Sequence, residues 1–226
     1  MKGKLIVIEG TDCSGKETQT KLLIEKLKKE NVPVETFSFP NYDSPTGKII
    51  GGPYLGKSYI CKGWFKETAP NVNPKVSSLY YAADRLYNID IIKNYINKGI
   101  NIILDRYIYS NMAHQGGKIS NKLERYQMYE WLEQLEFNLL ELPEPEIKIF
   151  LHMPYECSKK LKENRTESLD QHEKDKKHLE SAEKSYIEIS QKYNFYTIEC
   201  SKDNKIKTIE DINDELYKYI IDKFKR

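Results

Sequence analysis

Short apolar runs punctuate this chain at wide intervals, and the stretches between them sort apolar from charged residues at helical spacing. The runs are Lys4 to Glu9, Val34 to Phe39, Asn101 to Asp105, Ile147 to His152 and Tyr196 to Cys200. Runs of this kind, five or six residues long, are strand candidates, and the first of them, a short apolar run, suits a buried parallel strand. Between them the pattern predicts helices at 16–30, 45–56, 75–98, 121–139, 155–164, 171–192 and 207–224. In the first, Leu22, Leu23 and Leu27 recur on one face while lysines and glutamates take the other. Ser44-Pro45 opens the second helix with a capping hydroxyl and a proline at its first position. Pro143 and Pro145 break the chain ahead of the fourth run. Gly51 to Gly63 reads as a glycine-rich loop over the site. Strands alternating with helices imply parallel pairing through right-handed crossovers, hence an open α/β sandwich. No second domain boundary is visible, so residues 1–226 read as one domain. The stretch from Asn164 to Lys177 is densely charged and nearly free of apolar residues, so it reads as a mobile lid at about 164–177 or as a solvated connection between helices.

Composition narrows this picture mostly by exclusion. Lys+Arg 36 against Asp+Glu 34 leaves a net charge of +2, which gives no support to bulk electrostatic binding of nucleic acid. Cys13, Cys61, Cys157 and Cys200 are scattered, form no C-x-x-C pair and meet no histidine at metal-ligand spacing, as reduced thiols of a cytoplasmic protein would. No apolar run approaches membrane-spanning length, no membrane partner is expected, and the first strand begins too early for a signal peptide.

The chemistry is concentrated after the first run. Gly10-Thr11-Asp12-Cys13-Ser14-Gly15-Lys16-Glu17-Thr18 satisfies the G-x-x-x-x-G-K core of a phosphate-binding loop. Strand, glycine loop and helix follow in the order that lets backbone N–H groups and a helix N-terminus surround phosphate oxygens, with Lys16 reaching the outer phosphates. Glu17 stands where Ser or Thr usually supplies a magnesium ligand, and Thr18, one position on, is rotated by about 100° around the helix. The third run ends in Asp105-Arg106. At the carboxyl end of a parallel strand these would sit beside the glycine loop, the acid suited to magnesium and the guanidinium to a phosphate.

Five segments together resemble the thymidylate kinase family. They are Ile8 to Gln19 with Asp12 two residues after the first glycine, Phe39-Pro40-Asn41-Tyr42, Tyr81-Ala82-Ala83-Asp84-Arg85, Asp105 to Gly117, and Cys200-Ser201-Lys202. They run in the family's order through nearly the whole chain. The resemblance implies a P-loop NTPase-type three-layer α/β/α sandwich with a five-stranded parallel sheet and a lid. It implies transfer of the γ-phosphoryl of ATP to dTMP, giving dTDP and ADP, with Mg2+ as cofactor and a homodimeric state. The ATP side would be Gly10 to Thr18 with Ser201 and Lys202. On the acceptor side, Phe39 would wall the sugar, Tyr81 would stack on thymine, and Arg85, Asn111 and Gln115 would read the base. Arg106 would hold the dTMP phosphate. Asp12 would face the acceptor and, with Asp105, the magnesium shell. His114 reads as a wall of the base pocket rather than a catalytic base. Asp84-Arg85 alone could be a surface ion pair, and Tyr81, one of 17 tyrosines, could be core.

Three departures from the family pattern bear on mechanism. Glu17 replaces the hydroxyl after Lys16, Asn41 and Tyr42 follow Phe39-Pro40 where relatives often carry arginine, and the loop holds no arginine at positions 11–14. The last resembles the layout in which the lid supplies the transition-state arginine. Arg165, the only arginine between Arg125 and Arg226, is then the candidate, with Asp170 and Glu173 orienting it and Lys174, Lys176 and Lys177 as weaker substitutes. A deoxynucleoside kinase and a non-catalytic nucleotide-binding protein are the competing readings. Selectivity between dTMP and dUMP stays open at this stage.

Overall fold

The three central strands of the sheet alternate their side chains between two separate cores, which is why their sequences are largely apolar. In the computed structural model, which describes residues 2–11, 14–162, 175–203 and 205–225, strand β1 spans Leu5–Gly10 and is buried along its whole length. Leu5 and Val7 face one core with Leu104 and Phe150, whereas Ile6 and Ile8 face the other with Ile103 and Ile149. Strands β2 (Val34–Ser38), β3 (Asn101–Asp105), β4 (Ile147–His152) and β5 (Tyr196–Glu199) complete a five-stranded parallel sheet of order β2-β3-β1-β4-β5.

Helices cover both faces, giving three layers. On one side, α1 (Lys16–Lys29) and α8 (Ile209–Lys225) bury Leu23, Leu27, Ile212, Leu216 and Ile220. On the other, α3 (Pro74–Asn97), α4 (Ile108–Gly116), α5 (Lys122–Glu133) and α7 (Lys176–Lys192) enclose an aromatic-rich core that includes Tyr107, Tyr109, Tyr129 and Tyr186. Helix α2 (Pro45–Ile49) is capped by Ser44, whose hydroxyl accepts from the Gly47 N–H. Helix α6 (Tyr155–Lys162) follows β4.

Several elements differ from the sequence expectation. The helix expected at 45–56 is α2 followed by a π-type turn over Ile50–Tyr54, and that of 121–139 is α5 followed by a π-type turn over Gln134–Leu139. The first part of the expected glycine-rich loop is therefore helical and buried: Gly51 and Gly52 sit where a Cβ would meet Ile60 and Cys61 within 2.3–2.5 Å. Helix α4 was not anticipated. At nine residues it is short, and its polar side, Ser110, Asn111, His114 and Gln115, turns into a cleft instead of toward solvent. A two-stranded antiparallel hairpin, β6 (Ser201–Lys202) with β7 (Lys205–Ile206), follows β5.

Candidate active site

Two adjacent strands carry the two halves of the site to one edge of the sheet. Ile8 of β1 stands in register with Asp105 of β3, so the glycine loop and the Asp105-Arg106-Tyr107 corner leave the sheet side by side. The loop enters α1 through Gly15, whose φ of 80° is a left-handed conformation suited to glycine. Lys16 is buried, and its ammonium donates to the Gly10 and Thr11 carbonyls at 3.1 and 3.2 Å. Thr11 ties the loop to the end of β4 by donating to the Met153 carbonyl at 2.9 Å. Gln19 of α1 locks onto α8, donating to the Ile209 carbonyl and accepting from Asn213. Glu17 and Thr18 are exposed on the first turn of α1. Ser201 is half-buried and Lys202 exposed in the hairpin beyond β5, on the same edge.

The corner after β3 is held by a residue the sequence reading passed over. Glu9 ends β1 fully buried, and its carboxylate accepts from the Tyr107 N–H at 2.8 Å, the Ser110 N–H at 3.1 Å and the Ser110 hydroxyl at 2.5 Å. Burial pushes its pKa up, against the opposing effects of Ser110, Arg106, Tyr107 and Lys16. An acid closing an otherwise apolar strand was the available signal. Arg106 adopts φ 70°, a left-handed conformation costly for a side chain of its size, and its N–H donates to the Ile8 carbonyl at 3.2 Å. Its guanidinium donates to Ser110 Oγ at 3.2 Å and to the Tyr186 hydroxyl at 3.1 Å, and it lies 3.5 Å from His114 Nε2. Tyr186, on α7, is a second residue that the motif reading missed, because nothing in its own segment distinguishes it from other core tyrosines.

Beyond this corner lies a cleft of about 540 Å³, open to solvent at its mouth. Phe39, Tyr81, Arg85, Arg106, Asn111 and Gln115 all line it, together with Tyr107 and His114. Phe39 is buried, and Tyr81 is half-buried, set edge-on to Tyr54 at 6.0 Å. Arg85 is no surface partner of Asp84. It is 2 % exposed and forms a two-pronged ion pair with the fully buried Glu136 of the second π-type turn, through Nε to Oε2 and through Nη2 to Oε1 at 2.6 Å. Burial opposes the Arg85 charge, but the Glu136 carboxylate outweighs it and raises the guanidinium pKa. Asp84 instead anchors the segment after Phe39-Pro40, accepting from the Asn41 N–H, Ser44 Oγ and Thr46 Oγ1 at 2.8–3.0 Å. The Asn41 side chain donates to Asn88 Oδ1 at 2.9 Å, so Asn41 is part of that anchor.

Nine buried side-chain polar atoms have no hydrogen-bond partner among the described residues, and four of them lie here. In the cleft they are Asn111 Oδ1 and Gln115 Nε2, one acceptor and one donor. Beside the glycine loop they are Ser14 Oγ and Asp105 Oδ1. Unsatisfied groups of this kind are costly unless something binds them. A cation fits Asp105 Oδ1 as a single carboxylate ligand, and no group of three or more His, Cys, Asp or Glu able to hold a metal occurs among the described residues. Asp12, Cys13, Arg165, Asp170, Glu173 and Lys174 lie outside the described residues. The expected lid at about 164–177 also falls outside them, except for its last three residues: Asp175 caps α7 by accepting from the His178 N–H, and Lys176 and Lys177 belong to α7 itself.

Comparison with known proteins agrees with this geometry. Residues 8–212 match the family model described as thymidylate kinase. The chain is 31% identical to thymidylate kinase of Schizosaccharomyces pombe over 218 residues, covering 95% of this chain and 90% of that one. It is 29% identical to the probable thymidylate kinase of Methanocaldococcus jannaschii over 217 residues, covering 95% and 94%. The solved structure of thymidylate kinase from Candida albicans superposes with a TM-score of 0.75 at 26% identity, covering 98% of this chain and 92% of that one.

Proposed function

The chain belongs to the thymidylate kinase family, and on that premise we propose that it transfers the γ-phosphoryl group of ATP to dTMP, forming dTDP and ADP. The observation that carries the reading is the convergence of Phe39, Tyr81, Arg85, Arg106, Asn111 and Gln115 on one cleft beside the glycine loop. Phosphoryl transfer asks mainly for positioning and for neutralising charge, and the residues supply both. Lys16 exchanges its two loop carbonyls for the outer phosphates of ATP. Arg106, preset by Glu9, Ser110 and Tyr186, holds the acceptor phosphate in line.

Thymine offers two carbonyl acceptors and one N–H donor. Asn111 Oδ1 suits the N–H, while Gln115 Nε2 and Arg85 suit carbonyls, so the unpartnered atoms of the cleft match the pyrimidine edge. Tyr81 stacks on the ring and Phe39 walls the sugar. Asp12 contacts the acceptor and Arg165 neutralises the transferring group. Asp105 and Asp12 would hold Mg2+, whose charge would offset that of the donor phosphates; with Glu17 in place of the usual hydroxyl, phosphate oxygens and water would complete its ligands.

Incubation with ATP and either dTMP or thymidine tests this reading. Formation of dTDP from dTMP supports it, whereas phosphorylation of thymidine alone overturns it in favour of a deoxynucleoside kinase.

We further propose that the enzyme is a cytoplasmic homodimer. Helix α3 exposes Val76, Leu79, Leu86, Tyr87, Ile91 and Tyr95, an apolar side too extensive for a helix facing water. Cys61, Cys157 and Cys200 are free thiols, and no helix among the described residues is long and apolar enough to cross a membrane. A monomeric mass by light scattering for the wild type would sink the dimer.

A further inference from the structure

We propose that Lys118 and Ser77 form a positioning pair that turns the Gln115 side-chain amide so that its NH2 group, and not its carbonyl, faces the substrate base. The proposal rests on the dTMP reading of the cleft and concerns two residues that do not themselves line it.

Gln115 is fully buried at the end of α4. Its Oε1 lies 2.7 Å from the Ser77 hydroxyl of α3, and its Nε2 is buried without a partner among the described residues. An amide in this position has two orientations with similar shape and opposite chemistry. With Oε1 toward Ser77 it offers the base a donor; reversed, it offers an acceptor. Ser77 alone does not decide between them. Its single proton has three acceptors in reach, the Asn73 carbonyl at 3.1 Å, the Pro74 carbonyl at 3.2 Å and Gln115 Oε1. A serine that donated back along its own helix would accept from the amide NH2 instead.

Lys118 breaks this tie. Two residues beyond α4, its ammonium turns inward and donates to the Ala69 carbonyl at 2.9 Å and the Val72 carbonyl at 3.0 Å. Ser77 Oγ and the Tyr54 hydroxyl each lie 3.4 Å away. At 3.4 Å the contact with Ser77 is a charge acting on a dipole more than a hydrogen bond. In a dry interior that charge draws the oxygen end of the neighbouring amide toward itself and repels its N–H end. The same charge makes Ser77 Oγ a poorer acceptor for the amide NH2, which favours donation of the serine proton to Gln115. Burial pushes Lys118 down to about 7, while the oxygens within 3.4 Å of its ammonium favour the charged form. The same two carbonyl bonds fix the turn that leads into α3, so the distance between α3 and α4 across the base site is set at this lysine as well.

The expected consequence is selectivity for a ring carbonyl at the edge Gln115 reads. The test uses purified full-length enzyme, variants Lys118→Met, Ser77→Ala and their combination, and the substrates dTMP, 2-thio-dTMP and 4-thio-dTMP. Sulphur is a poorer acceptor than oxygen, so the wild type should show a KM penalty for the thio analogue altered at the carbonyl facing Gln115. Each single variant should raise KM for dTMP by about five- to tenfold, with a smaller change in kcat, as expected for one lost hydrogen bond. The same thio penalty should shrink, while the penalty at the other carbonyl, facing Arg85, should persist. The double variant should be no worse than the poorer single, because both act through one amide.

Ser77→Ala keeps the Lys118 bonds to Ala69 and Val72, so it reports even where Lys118→Met fails to fold. Additive KM effects, unchanged KM values or an unchanged thio penalty in Ser77→Ala would each overturn the pair. Absence of dTMP turnover by the wild type would instead overturn the functional reading beneath it.

Discussion

Replacing Glu136 by alanine should both destabilise the fold and blunt recognition of the base, because one carboxylate serves two buried partners. Arg85 and Glu136 are 2 % and 0 % exposed, their contact is two-pronged, and Asn111 Nδ2 adds a third hydrogen bond to Glu136 Oε1 at 3.2 Å. Glu136→Ala leaves the guanidinium charged in the interior beside the Tyr107 ring, 6.0 Å away, with its counter-charge gone. Breaking one side of such a pair costs about 3–5 kcal/mol. For a domain of this size each kcal/mol lowers Tm by about 2–4 °C, so a fall of about 6–20 °C is expected in a thermal melt. A paired apolar replacement, Arg85→Met with Glu136→Leu, should recover much of that loss, since the desolvation cost of both charges disappears together. It should not recover dTMP binding, because Arg85 is gone. KM for dTMP separates the two effects. A Tm within about 2 °C of wild type for Glu136→Ala, which is less than about 1 kcal/mol, would refute the reasoning. So would a double variant destabilised by the sum of its single changes.

Lys16→Ala and Arg106→Ala should each abolish dTDP formation in a coupled ADP assay while leaving the far-ultraviolet circular dichroism unchanged. Residual turnover near wild type in either removes that residue from the site. Arg165→Ala should lower kcat by as much as about 10³ to 10⁵, with a smaller effect on dTMP affinity, and a kinetically silent variant moves the transition-state cation elsewhere. His152 bridges Glu183 at 3.2 Å and Glu199 at 2.8 Å, and Glu183 in turn caps α6 by accepting from the Tyr155 N–H at 3.0 Å. The Glu183 carboxylate foremost, then that of Glu199, holds His152 charged against partial burial and raises its pKa. The stabilisation is therefore complete below about pH 6.5 and fades as pH rises through the raised native value. A Tm gap between wild type and His152→Gln that is largest in acid and closes in alkali is expected, and a pH-independent gap contradicts it.

The layers of this fold could be read from the chain because buried parallel strands leave largely apolar runs, as β1, β3 and β4 do, while the partly buried edge strands β2 and β5 mix apolar with polar positions. The substrate side was legible for a different reason: Arg106, Arg85 and Gln115 sit in segments whose residues resemble a family pattern. What stayed hidden was set by contacts between distant segments. Glu136 lies in an ordinary-looking helical stretch, and only the approach of its π-type turn to α3 makes it the counter-ion of Arg85. Glu9 and Tyr186 gain their roles from the corner they brace, 98 residues downstream of one and 80 residues upstream of the other. Helix α4 escaped because it is only nine residues long and its polar side faces the cleft, so its side chains read as a motif segment before they read as a helix.

The register of Ile8 with Asp105 has a further consequence, for how this protein would fail. The donor loop and the acceptor corner hang from neighbouring strands at the centre of the sheet, about 4.8 Å apart. Their mutual spacing is a lattice constant of the sheet, so loop breathing elsewhere leaves it unchanged. The Arg106 and Tyr107 amides, bonded to Ile8 and Glu9, should exchange with solvent deuterium only through global opening. Catalytic alignment and the folded state would then be lost together: a heated sample should contain fully competent molecules and unfolded ones, with no weakened population between.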